Sequence, residues 1–456
     1  MQRSVEGPGS PETRRNPSPP PDRDEAEAEA DGADRVGSSV YSRRWLFGTL
    51  SRLIQTVTEQ NSSGVKDSTE LSEELEEELC KVWDMAMDKG VSQFLLEFRA
   101  QDILLGVIAK SQCSRLTEIC VGILGNMACF HDNCVALSED ADLGAVALLL
   151  LGDTDPATLL ATCRLLLTFV SQPEVAGLWL ERIQQQPSVC SYLCFIMSSS
   201  TNVELLLKVG ELVYKVFDED DELMKDWTSA QCRRSDHNSP DLTSSVVEAA
   251  KQIRNECPEG LKIYLHIIQL LTTVEEGLQA LVRLDGPAKS LWSFVCELFC
   301  EHWCQPDDPP LILLEQKDHL CPALAVLSAL HANQAPHHVQ ISLDFVASLS
   351  RLLHYHSECQ LHETEKGTDE EDMQLKAVVD FTVALLAGII MDLPTDDLSG
   401  LIKGNHMTEK NFMSAVKYLH PHFSKAVDRL IAMLDEEEPS LAEAVKISLP
   451  PSKTDC

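Results

Sequence analysis

Three cysteines in the string CELFCEHWC, Cys296, Cys300 and Cys304, recur at every fourth residue, the spacing that puts side chains on one face of a helix. Cysteine thiolates bind zinc, but three ligands at i, i+4 and i+8 span about 12 Å of helix axis. That is too far to share one ion with bonds of about 2.3 Å, so these cysteines read as buried thiols. A second set, His354, His356, Cys359 and His362, lies where a helix is expected to end and lead into a loop that could bend around an ion; spacing alone leaves its metal binding open. His362-Glu363 opens a zinc-protease string, yet Lys366 stands where the second histidine is needed. The acids of DEDDE at 218–222 lack the turn glycine and spaced ligands of a calcium loop and read as a solvated helix end. DGPAKS at 285–290 has the wrong spacing for a phosphate loop, and no Gly-x-Ser-x-Gly elbow occurs. The residues therefore assign no catalytic group, no metal and no cofactor, and the chain is expected not to be an enzyme.

The elements that would carry such residues are helical. Apolar residues recur at helical spacing in segments at about 91–97, 102–109, 116–129, 141–151, 156–171, 174–184, 189–197, 202–217, 243–254, 259–273, 275–283, 287–303, 310–330, 341–355, 372–391, 408–418 and 421–434. Before them, VYSRRWLFGTLSRLIQTV carries a stripe of Leu46, Phe47, Leu50, Leu53, Ile54 and Val57, a helix at 40–58 that caps the body. The next helix, LSEELEEELCKVWDMAM, crowds acids into its first turns, where they complement the helix dipole. Residues 1–38, Pro-rich and then acidic, have almost nothing to bury and read as a disordered tail, with Ser10 and Ser18 each before proline as phosphorylation candidates. The body is expected at 70–434, with exposed loops at 228–245 and 356–372 and a tail at 435–456.

Of 456 residues, 44% are hydrophobic and 5% aromatic, and 72 acids against 37 bases give a formal net charge of −35. That balance argues against direct nucleic-acid or anionic-membrane binding, which draws on surplus Lys and Arg. It suits basic partner segments or solubility. No signal-peptide core and no run of about 18 apolar residues is read, so the chain is expected to be intracellular, off the membrane, with its 16 cysteines reduced.

The string EICVGILGNMACF at 118–130 reads as an apolar helix, yet contains Gly122, Gly125 and Asn126. Each glycine costs a helix about 1 kcal/mol relative to alanine. Setting GILGN at 122–126 over RLLLT at 164–168 gives an offset of 42 residues, and GELVY at 210–214 continues 46 further on. A helical period in the forties marks armadillo or HEAT repeats, an all-α solenoid of right-handed twist with degenerate copies. In such a stack Gly122 and Gly125 would be packing positions that let a neighbouring helix approach.

ICVGILGNMA resembles the third helix of an armadillo repeat, whose asparagine meets an extended peptide in the concave groove; Asn126 matches that position. Nuclear-import receptors of this type carry a tryptophan four residues earlier, where this chain has Gly122, and the next asparagine positions read Thr168 and Tyr214. Asn126 is thus either a peptide-groove residue or an amide that satisfies buried backbone. The strings VYSRRWLFGTLSRLIQ, EICVGILGNMACF, CFIMSSSTNVELLLKVGE, QLLTTVEEGLQA and DDPPLILLEQK together resemble the serum amyloid A-like family, also called synoviocyte proliferation-associated. The resemblance implies an armadillo-like protein, nuclear and also cytoplasmic, that promotes proliferation of synovial fibroblast-type cells. The function expected is a non-enzymatic scaffold binding basic or extended segments of other proteins. The alternatives are a nuclear transport or regulatory adaptor for basic peptides, and an enzyme with an unrecognised site. Oligomeric state is not legible.

Overall fold

A computed structural model describes residues 34–37, 39–63, 71–229, 241–285, 290–333, 341–364, 372–404 and 406–449. Ser10 and Ser18 lie outside them. The described residues are all-helical, apart from one isolated bridge between Arg35 and Ser42.

Among the described residues twenty-three α-helices follow one another. The first five are α1 (Arg43–Ser63), α2 (Glu73–Met85), α3 (Lys89–Glu97), α4 (Ala100–Lys110) and α5 (Ser114–Ala128). Then come α6 (His131–Ser138), α7 (Ala141–Leu149), α8 (Pro156–Val170), α9 (Pro173–Gln185) and α10 (Ser188–Ser199). The middle holds α11 (Val203–Glu219), α12 (Asp221–Thr228), α13 (Leu242–Ile253), α14 (Pro258–Leu271), α15 (Glu275–Asp285) and α16 (Ser290–Glu301). The chain continues with α17 (Ile312–Asn333), α18 (Leu343–Thr364), α19 (Met373–Asp392) and α20 (Thr395–Lys403). It closes with α21 (Glu409–Leu419), α22 (Ser424–Glu437) and α23 (Pro439–Ser448).

Local chemistry sets many boundaries. Ser72, Asp155, Asn202 and Asp372 each cap the helix that follows by accepting from its first-turn amides. Within the acidic run at 218–222, Asp220 accepts from Glu222 and Leu223 and so starts α12. Four short helices, α6, α12, α20 and α23, are not expected from periodicity, because eight to ten residues carry too few apolar positions to form a stripe. Expected boundaries move: α1 runs on to Ser63, past the expected 58, and α13 starts at Leu242, inside the segment 228–245 read as loop. The described residues include Asp34–Gly37, with Val36 buried and Arg35 bridged to Ser42, inside the segment read as tail. Residues 356–364, read as loop, complete α18. The expected tail at 435–456 contains the end of α22 and all of α23, whose Leu441, Ala442 and Val445 are buried.

Packing sorts the helices into rows. The inner row runs α2, α5, α8, α11, α14, α17, α19, α22, each in contact with the next. Beside it, α1 meets α4 and α4 meets α7; farther along, α10 meets α13, and α16, α18 and α21 follow in contact. In a third row α3, α6 and α9 are neighbours in turn, and α12 meets α15. Side-chain bonds along each row keep the spacing read from sequence. Asn133 donates to Ser92 (2.6 Å) and the Trp179 indole to Ser138 (2.8 Å), both 41 residues apart, while Thr158 reaches the Ser114 carbonyl across 44. Farther on the intervals lengthen, to 58 between Tyr264 and Leu206 and 62 between His356 and Tyr418.

A helix with neighbours on both sides is apolar over much of its circumference. For this reason α19, with a mean hydropathy of 1.7, has the length and composition to cross a membrane, contrary to the expectation that no such run exists. More than half of that stretch is buried against other helices.

The buried Tyr264 hydroxyl donates to the Leu206 carbonyl at 2.7 Å and so ties α14 to α11. Tyr264→Phe should lower unfolding free energy by about 1 kcal/mol, read from urea denaturation of the full chain; an unchanged midpoint would assign that contact no weight.

Candidate functional site

The helix α5 carries the glycines and the asparagine singled out above, and the structure separates their roles. A Cβ at Gly122 would lie 2.1 Å from the Trp83 indole, so the glycine makes room for a ring arriving from α2. A Cβ at Gly125 would meet nothing within 4 Å, so this second glycine borders open space. The expectation that Gly125 is a close-packing position is therefore corrected: on its face no helix approaches, and the missing side chain deepens a hollow instead.

Asn126 is 7% exposed, and its Nδ2 donates to the Trp83 carbonyl at 2.8 Å. Trp83 lies in the last turn of α2, where carbonyls lack intrahelical donors. The amides of Ala86 and Met87 serve Val82 and Asp84, which leaves the Trp83 carbonyl to Asn126. Asn126 thus caps the C-terminal end of α2, the preceding helix of the row. It also lines a small cavity of about 30 Å³ together with Gly122, Gly125, Cys129, Arg164 and Thr168. The same capping device recurs at the far end of the row. There the Arg429 guanidinium on α22 donates to the carbonyls of Ile390 (2.8 Å), Met391 and Leu393 at the end of α19.

Around these caps the inner row is lined with paired charge. Arg115 binds Glu76 on α2 (2.7 Å) and Glu118 (2.6 Å), with Glu118 and then Glu76 holding its guanidinium protonated. Lys208 pairs with Glu211, Lys215 with Glu219, Lys262 with Asp318 (3.0 Å) and Lys317 with Asp372. Arg164, at the register position of Gly122, is exposed and has no carboxylate within 4 Å among the described residues. No sequence signal distinguishes Arg164, because pairing depends on which helices lie across from it.

The candidate metal ligands diverge. Cys296, Cys300 and Cys304 do not form one stripe of a helix, since α16 ends at Glu301 and Cys304 sits in a left-handed turn at φ 48°. Burial pushes the Cys304 thiol up to about 12, so it stays protonated. His354 faces Ser414 (3.3 Å), His356 Nδ1 meets the Tyr418 hydroxyl (2.7 Å), and Cys359 donates to the Pro310 carbonyl (3.3 Å). The His362 side chain lies outside the described residues. Among the described residues no three His, Cys, Asp or Glu side chains gather as a metal site.

Known proteins share this sequence over most of its length. The family described as the SAAL1 C-terminal domain matches residues 189–427. Protein saal1 of Danio rerio is 56% identical over 444 residues, covering 96% of this chain and 94% of that one. Protein saal1 of Xenopus tropicalis is 45% identical over 438 residues, with 91% and 95% covered. Protein SAAL1 of Homo sapiens is 45% identical over 450 residues, with 92% and 95% covered.

Two outcomes test the site. Gly122→Ala should cost about 1–3 kcal/mol by overpacking against Trp83, whereas Gly125→Ala should leave stability unchanged or raise it by up to about 1 kcal/mol. Asn126→Ala should cost about 1–3 kcal/mol through the orphaned carbonyl; thermal unfolding of the three variants side by side checks all of this, and equal effects at both glycines would contradict it.

Burial, and then Lys417, lower the affinity of His356 for a proton. The fold therefore holds it neutral, and below about pH 6.5, the ordinary histidine value, the unfolded chain binds the proton more readily and stability falls. In His356→Asn the loss of melting temperature between neutral and mildly acidic buffer should be smaller than in the wild-type chain.

Proposed function

The chain belongs to the SAAL1 family, and on that premise we propose that it is a non-enzymatic scaffold that receives segments of other proteins along its inner row of helices. In this reading the three rows form an armadillo-type solenoid of right-handed twist with degenerate repeats. The observation that carries it is the unbroken inner row, whose first helices are joined by side-chain bonds between residues 43 and 44 apart, a spacing echoed by the 41-residue bonds of the third row. Stacked repeats of this kind present long surfaces to extended or helical segments. The net charge of −35 favours basic stretches in those partners over most of the surface. The family resemblance adds a nuclear location, shared with the cytoplasm, and a role in promoting cell proliferation. Ser10 and Ser18 in the Pro-rich stretch are proposed as phosphorylation sites.

The experiment is proximity labelling from the full chain in cells, comparing wild type with Arg164→Glu on the inner row and Glu181→Lys on α9. The inner-row variant should lose a defined set of neighbours that the α9 variant keeps, with both proteins melting like the wild type. Identical labelled sets for all three would overturn the assignment of the inner row as the partner surface.

A further inference from the structure

At the other end of the inner row, α19, the start of α22 and His422 before it border an open groove of about 420 Å³, a size in the range of ligand-binding hollows. Ala384 and Ala387 on its floor are too small to fill the space between the two helices, and Gly388 beside them is covered on its own Cβ side by the His331 ring of α17. Met391, 45% exposed, and Phe423 supply apolar walls. Lys425 stands at the rim, and no acidic residue lines the groove, in a chain with 72 acids to 37 bases.

The charge at this rim departs from the rest of the row. On the inner row Lys81, Arg115, Lys208, Lys215, Lys262 and Lys317 are matched with carboxylates, and Arg429 with backbone carbonyls. Among the described residues Lys425, like Arg164, has no carboxylate within 4 Å. Lys425 and Ser424 also open α22, a helix of 14 residues whose N-cap, Phe423, offers no side-chain acceptor. The positive end of that helix adds to the charge of Lys425.

We propose that this groove is a docking site for an extended segment of another protein that places an apolar side chain over Ala384 and Ala387 and an adjoining carboxylate against Lys425. The inference rests on the scaffold reading and specifies one partner chemistry at one end of the row. That chemistry is the reverse of what the overall charge favours, so the site would discriminate among partners. An apolar anchor supplies affinity by leaving water, and the ion pair selects the neighbouring residue.

The test uses the full chain with 13C-methyl methionine and follows the Met391 methyl signal during titration with a short capped peptide containing Leu-Glu-Glu. The signal should shift saturably. A Leu-Lys-Lys peptide should bind more weakly by about twofold to fivefold, the worth of one exposed ion pair. Ala384→Trp, at an exposed floor position, should abolish the shift, and Lys425→Glu should reverse the preference between the two peptides. Three results would overturn the proposal: no Met391 shift with the Leu-Glu-Glu peptide, equal binding of both peptides, or a shift with decanoate and none with peptide. If any of these occurs while Arg164→Glu still removes neighbours in cells, the docking site fails and the scaffold reading stands.

Discussion

Each inner helix of this fold has to pack against two others of its own row, and that double contact governs the residues it can carry. A helix flanked on both sides cannot be large on both faces at once, so bulky rings on one helix are met by glycine on the next. The Trp83 ring from α2 lies over Gly122 on α5, the Tyr264 ring from α14 over Gly210 on α11, and the His331 ring from α17 over Gly388 on α19. At Gly122 and Gly388 a methyl group would already collide with the ring; at Gly210 it would be tight. The helix-propensity penalty of about 1 kcal/mol per glycine is offset by the apolar area these rings bury, about 25 cal/mol for each Å².

Such close packing buries helix ends, and a buried carbonyl without a donor is costly. The fold answers with long polar side chains reaching back from the next helix of the row. Asn126 serves the end of α2 and Arg429 the end of α19. The same economy appears among the thiols. Burial raises Cys134 to about 11 and Cys163 to about 12, so they remain neutral and pack as small hydrophobes.

A surface assembled from ion pairs between neighbouring helices has consequences for recognition. Where a cation is already matched by the adjacent helix, as Arg115 is by Glu76 or Lys262 by Asp318, it offers little to a partner. On the scaffold reading proposed above, recognition would fall to places where the pairing lapses and small residues leave space. Those places lie at the α5–α8 and α19–α22 junctions, where the floors are Gly125 and Ala161 in one case and Ala384 and Ala387 in the other. Glycine and alanine thus play two opposed parts on the same helices, admitting a ring on one face and opening a hollow on another.

The sequence by itself determined that the chain is helical, where most helices lie, which family it resembles, and an offset of 42 residues between the GILGN and RLLLT strings. These are local or periodic properties: apolar spacing, capping residues such as Ser72 and Asp155, and the quoted family strings. It also located Gly122, Gly125 and Asn126 as anomalies within a helix. Tertiary structure alone decided what they do, because each outcome depends on a residue some forty positions away or on the lack of one. Gly122 and Gly125 are alike in sequence, three residues apart, yet one sits under the Trp83 ring and the other beside empty space. Asn126 was equally suited to a peptide or to a buried carbonyl until the last turn of α2 was brought against it. The unmatched charges of Arg164 and Lys425 were invisible for the same reason, since an ion pair across helices is a property of their packing. Short helices such as α23 escaped because a stripe of three apolar residues acquires meaning only when a neighbouring helix covers it.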